Sequence, residues 1–380
     1  ADTELAQAAQ TTLADLSGKN VNEEIVGLLP TSTGKTHTLL LQLVGQRRIN
    51  DVEEVEKALD HPDKTVRSAA LIALGETVSL KKLDVLISQV LAPRHSEDAA
   101  VARQALKTAC VRMPDREGCA AKLATALKRS PPGSQTAILE ILTDVGGETA
   151  LQTLATAAKS NDPQLQDDGS RLLGKWNDLA VAPVLLDLAK TAPAEKFRIR
   201  ALRGYIGVAR KFAMPEQQRV DMCQNAFDAA TRTDEQLLLM DVLALHPSPQ
   251  GLRLATKAMG TRELKPAATQ AALVIAQKLG GKGVNVKELL SGAGLDNVKL
   301  EIIKAEYGAG ASQRDVTAVL RKQASNLPLI TLASTAYNTS FGGDPAPGVV
   351  KKLRIQYRMN GKVGESSFAE NALIVLPMPK

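Results

Sequence analysis

The 380-residue chain carries few side chains whose type and spacing suit chemistry. Its three cysteines, Cys110, Cys119 and Cys223, form no C-x-x-C or C-x-x-C-H pattern and have no histidine at ligand spacing, so neither a metal centre nor a haem attachment is written in them. The histidines His37, His61, His95 and His246 lie in or beside expected turns, with no Ser or Cys partner suggested by spacing. Acidic neighbours such as Glu23-Glu24 and Asp167-Asp168 point to different helix faces, because side chains three or four apart share a face and adjacent ones do not. No residue qualifies as catalytic, cofactor-binding or metal-ligating. The expectation is a protein that is not an enzyme and uses no cofactor.

Three further groups have both a sharp and a plain interpretation. Gly34-Lys35-Thr36 ends like a phosphate-binding loop, but the first glycine of that pattern would fall on Leu29 and no acidic strand end follows to hold magnesium. A turn between two helices is the better account, and no nucleotide is expected. Cys110 closes one expected helix and Cys119 opens the next, equidistant from the turn at Pro114-Asp115. That symmetry brings them within disulfide reach, as a bridge or as two packed thiols. Arg200 and Arg203 share a helix face with Arg210 and Lys211 a turn or two further on, a candidate anion or partner patch or a solvated ridge.

The elements that must position these residues emerge from periodicity. In 63–75, Val66, Ala69, Ala70, Ala73 and Leu74 fall on one helix face, which Asp63 can cap and Gly75 can end. The pattern returns at Ala102–Cys110, at Leu165–Gly174 and, more loosely, at Phe197–Tyr205, in steps of roughly 33 residues. Helical period and turn punctuation then give eight helix pairs, at 21–29/36–46, 51–59/63–76, 80–91/96–112, 115–128/132–144, 147–159/162–175, 178–190/194–211, 215–230/233–245 and 249–259/263–278. The D-x-x-V-R-x-x-A-x-x-A-L-G stretch at 63–75 and its copies resemble HEAT repeats of the armadillo-like superfamily. The resemblance implies a right-handed α-solenoid over residues 1–279. It also implies that Arg67, Arg103 and Arg198, which share one repeat position, pair with turn carboxylates of neighbouring repeats. A helix at 3–17 has no partner in this scheme, and the chain starts at Ala1 without Met, so a processed or truncated protein is expected.

Scarce aromatics, 3% of residues, mean that the helices stack on Ala, Leu, Val and Ile, and argue against a sugar cleft paved with rings. A net charge of +6 over this length is too weak for a nucleic-acid footprint, and no apolar run is long enough to span a membrane.

After Leu279 the pattern breaks into a Gly-rich linker, 280–297, followed by a β domain, 298–380. Strands are expected at Leu300–Tyr307, Leu329–Thr335, Val349–Arg358 and Ser366–Leu376. Turns at Gly342–Pro345 and Asn360–Lys362 separate them, and a short helix follows Asp315-Val316-Thr317, together forming a small antiparallel sandwich. Eleven basic against six acidic residues place most of the excess charge here, with Lys352, Arg354 and Arg358 on one strand face, a solvated face or one for an acidic partner. Tyr307-Gly308, Asp315-Val316-Thr317, Asp344-Pro345, Gly348–Leu353, Tyr357 and Leu376-Pro377 are similar to the domain of unknown function that closes DnaJ homolog subfamily C member 11. No J-domain accompanies it, so chaperone recruitment does not carry over.

The architecture as a whole resembles exported proteins of envelope-rich bacteria, which implies a periplasmic or envelope location. The expected function is a non-catalytic scaffold that binds a protein partner through the concave solenoid surface, the β domain or both. The alternative is the non-catalytic C-terminal region of a larger exported carbohydrate-active enzyme.

Overall fold

The computed structural model describes residues 10–17, 19–50, 52–279, 285–292 and 295–379. They fall into two compact units, Ala1–Asn177 and Asp178–Lys380. The protein is mainly helical, with a small antiparallel sheet near the C-terminus.

In the first unit, residues 10–15 are helical, and five helix pairs follow. They are α1 (Lys19–Leu28) with α2 (Gly34–Gln46), α3 (Glu53–Lys57) with α4 (Lys64–Thr77), α5 (Asp84–Leu91) with α6 (Ala99–Arg112), α7 (Arg116–Lys128) with α8 (Pro132–Val145), and α9 (Glu148–Ala158) with α10 (Pro163–Leu173). Aspartates start several of them: Asp63 accepts from Thr65 N at 2.8 Å, Asp115 from Gly118 N at 2.8 Å and Asp162 from Gln164 N at 2.8 Å. Arg47, just past α2, donates to the carbonyls of Leu13, Ala14 and Leu16, and so closes the C-terminal end of the helix at 10–15. Residues 3–9 of the expected first helix lie outside the described residues.

This unit contains no Phe or Tyr and one Trp, Trp176, so its helices meet through small side chains. α4 packs between α2 and α6 and buries Val66, Ala69, Ala70, Ala73 and Leu74. Gly75 does not end this helix, as the sequence suggested, because α4 continues to Thr77. Its role is contact: a Cβ there would stand 3.0 Å from the Ala105 carbonyl oxygen of α6.

The second unit opens with three more pairs: α11 (Ala182–Thr191) with α12 (Glu195–Lys211), α13 (Glu216–Ala229) with α14 (Thr233–Leu245), and α15 (Pro249–Ala258) with α16 (Lys265–Leu279). Of the Gly-rich stretch 280–297, residues 280–284, 293 and 294 lie outside the described residues, and Val286–Gly292 is a helix, α17. The sheet contains β1 (Leu300–Ala309), β2 (Ser312–Asp315), β4 (Lys352–Met359) and β5 (Lys362–Ala369) in the order β2-β1-β4-β5, all antiparallel. Helix α18 (Thr317–Gln323) follows β2, helix α19 (Tyr337–Ser340) lies in the long connection, and β3 (Leu329–Ile330) pairs with β6 (Ile374–Val375). One sheet face buries Leu353, Ile355, Tyr357 and Met359 of β4 against Tyr307, Phe368, Leu320, Tyr337 and Phe341.

The Asn360-Gly361 turn is as expected, with φ of 50° and 86°, the two left-handed residues that a two-residue hairpin requires. Pairing therefore resumes at once with Met359 opposite Lys362, four residues earlier than the strand start expected at Ser366. Val349 and Val350, expected to open a strand, belong to a loop instead, since β4 begins at Lys352. The strand expected at 329–335 shrinks to two residues, the length of its only pairing, with β6.

Candidate functional site

In the first unit, the Gly34-Lys35-Thr36 segment follows helix α1 and a 3-10 turn at Leu29–Thr31 rather than a strand. Gly34, at φ 57°, opens α2 with no side-chain cap from Thr33. The bend places His37 Nδ1 2.9 Å from Ser32 Oγ, and the Ser32 hydroxyl also lies 3.0 Å from the Leu29 carbonyl oxygen. The His37 ring stacks on His61 at 6.1 Å, and His61 Nδ1 accepts from Asp63 N at 3.0 Å. Spacing suggested no Ser partner for His37, because the pairing arises only once the chain bends at Gly34. The hydroxyl has two acceptors in reach and no carboxylate orients the ring among the described residues, so this is a turn closure rather than an activated nucleophile.

The bridge anticipated between Cys110 and Cys119 is absent: both are free, buried thiols. The symmetry about the turn does bring them close enough to interact, and the Cys119 thiol donates to Met113 Sδ at 3.4 Å. Burial pushes both thiols up, and pushes Cys223 up to about 12, so none is a ready nucleophile.

Arg67 is only 2% exposed and ties two successive pairs. Its Nε donates to Asp98 at 2.6 Å, Nη2 to Glu97 at 2.8 Å, and Nη1 to the carbonyls of His61 and Pro62 at 2.9 Å each. The Asp98 hydrogen bond holds its guanidinium above the ordinary range. Its expected counterparts differ: Arg103 is exposed, and Arg198 caps its own turn by donating to Ala192 O at 3.0 Å. Other cross-pair links use arginines off the repeat position. Burial pushes Asp168 up, but hydrogen bonds from Arg171, Thr136 and Gln164 outweigh it and hold the carboxyl low. In the second unit Arg203 donates to Glu235 at 2.8 Å, a carboxylate 1% exposed, so its charge is matched inside the helical layer. The other members of that candidate patch take separate places: Arg200 lies 5.6 Å over the Phe197 ring, Lys211 5.3 Å over Phe212, and Arg210 is exposed.

The strand region holds the most connected polar cluster. Lys351, 4% exposed, contacts Asp344 at 2.9 Å and Glu370 at 3.4 Å. Tyr307 lies with its hydroxyl 2.8 Å from both Glu370 and Asn338, and Asn338 contacts Asp344 at 3.4 Å. Burial and then the Glu370 charge push Tyr307 well above the usual phenol range. Hydrogen bonds with Lys351 and Tyr307 hold Asp344 and Glu370, respectively, below theirs. Immediately before this anchored lysine, Pro347, Gly348, Val349 and Val350 are exposed, the two valines to 55% and 80%. On the outer sheet face, Arg354 stands opposite Glu306, which is itself paired with Lys304 at 2.7 Å, and Arg358 pairs with Glu301, so one member of the basic stripe on β4 is matched by an acid of β1.

No helix is long and apolar enough to cross a membrane among the described residues. No family model and no curated protein matches the chain. Among solved structures, human deoxyhypusine hydroxylase in complex with glycerol is similar at 18% identity, over 63% of this chain and 88% of that one, with a TM-score of 0.27. That structure is by its name an enzyme, in contrast to the non-enzyme expected from the sequence. So loose a likeness transfers no activity or residue role to this chain.

Proposed function

We propose that the protein is an interaction scaffold of the bacterial envelope, in which stacked helix pairs support a strand region that docks a protein partner. The observation that carries this reading is the exposed Pro347-Gly348-Val349-Val350 segment, held by the buried Lys351 next to it. Apolar side chains on an anchored loop lose little conformational freedom when a partner covers them, so the gain from burying them is retained. A second contact along the concave side of the helix pairs belongs to the same proposal. So do the right-handed winding, the joining of the two sheets as a sandwich and the kinship with the closing domain of the J-protein subfamily.

A photo-crosslinking residue at position 350, in cells that make the protein, tests it against the same residue at 363, another exposed valine. A discrete protein adduct specific to position 350 is expected, weakened when Lys351→Met frees the loop. Equal adducts at both positions, or none, would remove the loop from the function.

A further inference from the structure

Within the second unit lies a cleft of about 980 Å³, between the start of α16, the β4–β5 hairpin and the C-terminal segment 377–379. Its walls are fixed before any ligand arrives. The Tyr357 hydroxyl donates to the Pro377 carbonyl at 2.6 Å, and Met378 N donates to Gln270 Oε1 at 3.1 Å, which ties the tail to β4 and to α16. The floor is apolar, with Val298 and Met359 buried and Met378 half-buried. At the rim stand Arg262, Lys265 and Lys362, with one carboxylate, Glu365. None of the three cations has a hydrogen bond or ion pair among the described residues, whereas Arg67, Arg203 and Lys351 are all paired with carboxylates.

We propose that this cleft binds an anionic amphiphile, one aliphatic chain bearing a carboxylate or phosphate head. An apolar floor gives a small inorganic ion nothing beyond the rim charges, while unpaired cations at the rim gain nothing from a neutral hydrocarbon. A ligand with both parts satisfies both surfaces, and two methionines let the floor adapt to an aliphatic chain of no fixed shape. The pinned walls keep the cost of ordering the site low.

Titration calorimetry with laurate, dodecyl phosphate, dodecanol, inorganic phosphate and an apolar peptide ending in a free carboxylate tests this. Laurate and dodecyl phosphate are expected to bind with micromolar affinity, and the tighter of the two identifies the head group. Dodecanol and inorganic phosphate should each bind at least about tenfold more weakly. Lys265→Gln with Lys362→Gln should weaken the anionic amphiphiles about tenfold with an unchanged circular dichroism spectrum, and added salt should weaken wild-type binding in the same direction. Met359→Gln, checked for folding in the same way, should weaken them through the floor alone. Binding unaffected by the double variant, dodecanol equal to laurate, or a tighter peptide would each overturn the assignment.

Discussion

The first unit and the strand region bury charge by the same chemistry on opposite scaffolds. Arg67 is enclosed by carboxylates from the next helix pair, and Lys351 by carboxylates from its own loop and from the turn after β5. Around Arg67 the packing is Ala against Ala, with glycine where helices approach closest. Around Lys351 it is ring against ring, with Tyr307, Tyr337 and Phe341 at 5.2–5.6 Å. Small-residue stacking relies on backbone proximity, so it tolerates lost side chains and punishes added ones. The ring core depends on a few large side chains and on the polar lock beside them.

The largest expected effect follows from that intolerance. At Gly169 in α10, a Cβ would fall 2.5 Å from Ala158 N and 2.9 Å from Leu154 O, both backbone atoms that cannot rotate away. Gly169→Ala should cost about 3 kcal/mol, despite the better helix propensity of alanine. Chemical denaturation followed by helical circular dichroism measures it. A neutral or stabilising result would mean that the close approach is not a feature of the folded unit.

Next in size is Arg67→Met, which leaves Asp98 buried without its cation and strips two turn carbonyls of their donor. The melting temperature of the first unit should fall by on the order of 10 °C. Adding Asp98→Asn should restore part of the loss, because the remaining amide no longer carries an unpaired charge. The same substitution at Arg103, which is exposed, should change little.

These two residues show what was readable in the sequence. Val66, Ala69 and Ala73 repeat with a local period, so the eight pairs and the Asp63 cap follow from neighbours three and four apart. The carboxylate partners of Arg67 and the obstruction at Gly169 come from 11 to 31 residues away and need the stacking itself. In the strand region the Asn360-Gly361 turn is local and legible, whereas Val349-Val350 has a strand composition but no strand to pair with. The amphiphile cleft was invisible because its walls come from residues near 262–270, 295–298, 357–365 and 377–379, which no spacing rule connects.

The polar lock predicts a pH response in the strand region, a smaller effect than either substitution. Asp344 and Glu370 titrate below their ordinary values of 3.8 and 4.5, so their contribution is complete above those values and is lost as pH falls through the lowered ones. Lys351 and Tyr307 are raised above 10.5 and 10.0, so theirs is complete below pH 10 and is lost as pH rises beyond it. Three of the four tyrosines lie in this region, so near-ultraviolet dichroism of their rings reports on it selectively. Its melting temperature should be flat from about pH 5 to 10 and fall on both sides, with Lys351→Met lowering the plateau. An unchanged profile at pH 3 would break the comparison with Arg67, whose guanidinium keeps its charge throughout.

The smallest effect concerns the cysteines, and it separates packing from cross-linking in the first unit. If Cys110 and Cys119 act only as small apolar side chains with a weak S–H donor, replacing either by alanine removes one buried sulfur, at a cost of about 1 kcal/mol. A disulfide would cost more to lose, about 2–3 kcal/mol for so short a loop, and its contribution would vanish on adding reductant. The thiol form predicts a melting temperature indifferent to reductant and slow labelling of the native protein, since burial disfavours the thiolate. It also predicts three reactive thiols once the chain is denatured without reductant. Finding one instead of three would restore the bridge, and with it the redox argument for an envelope location. Three would leave Ala-on-Ala stacking and Arg67 to hold these pairs together without any covalent tie.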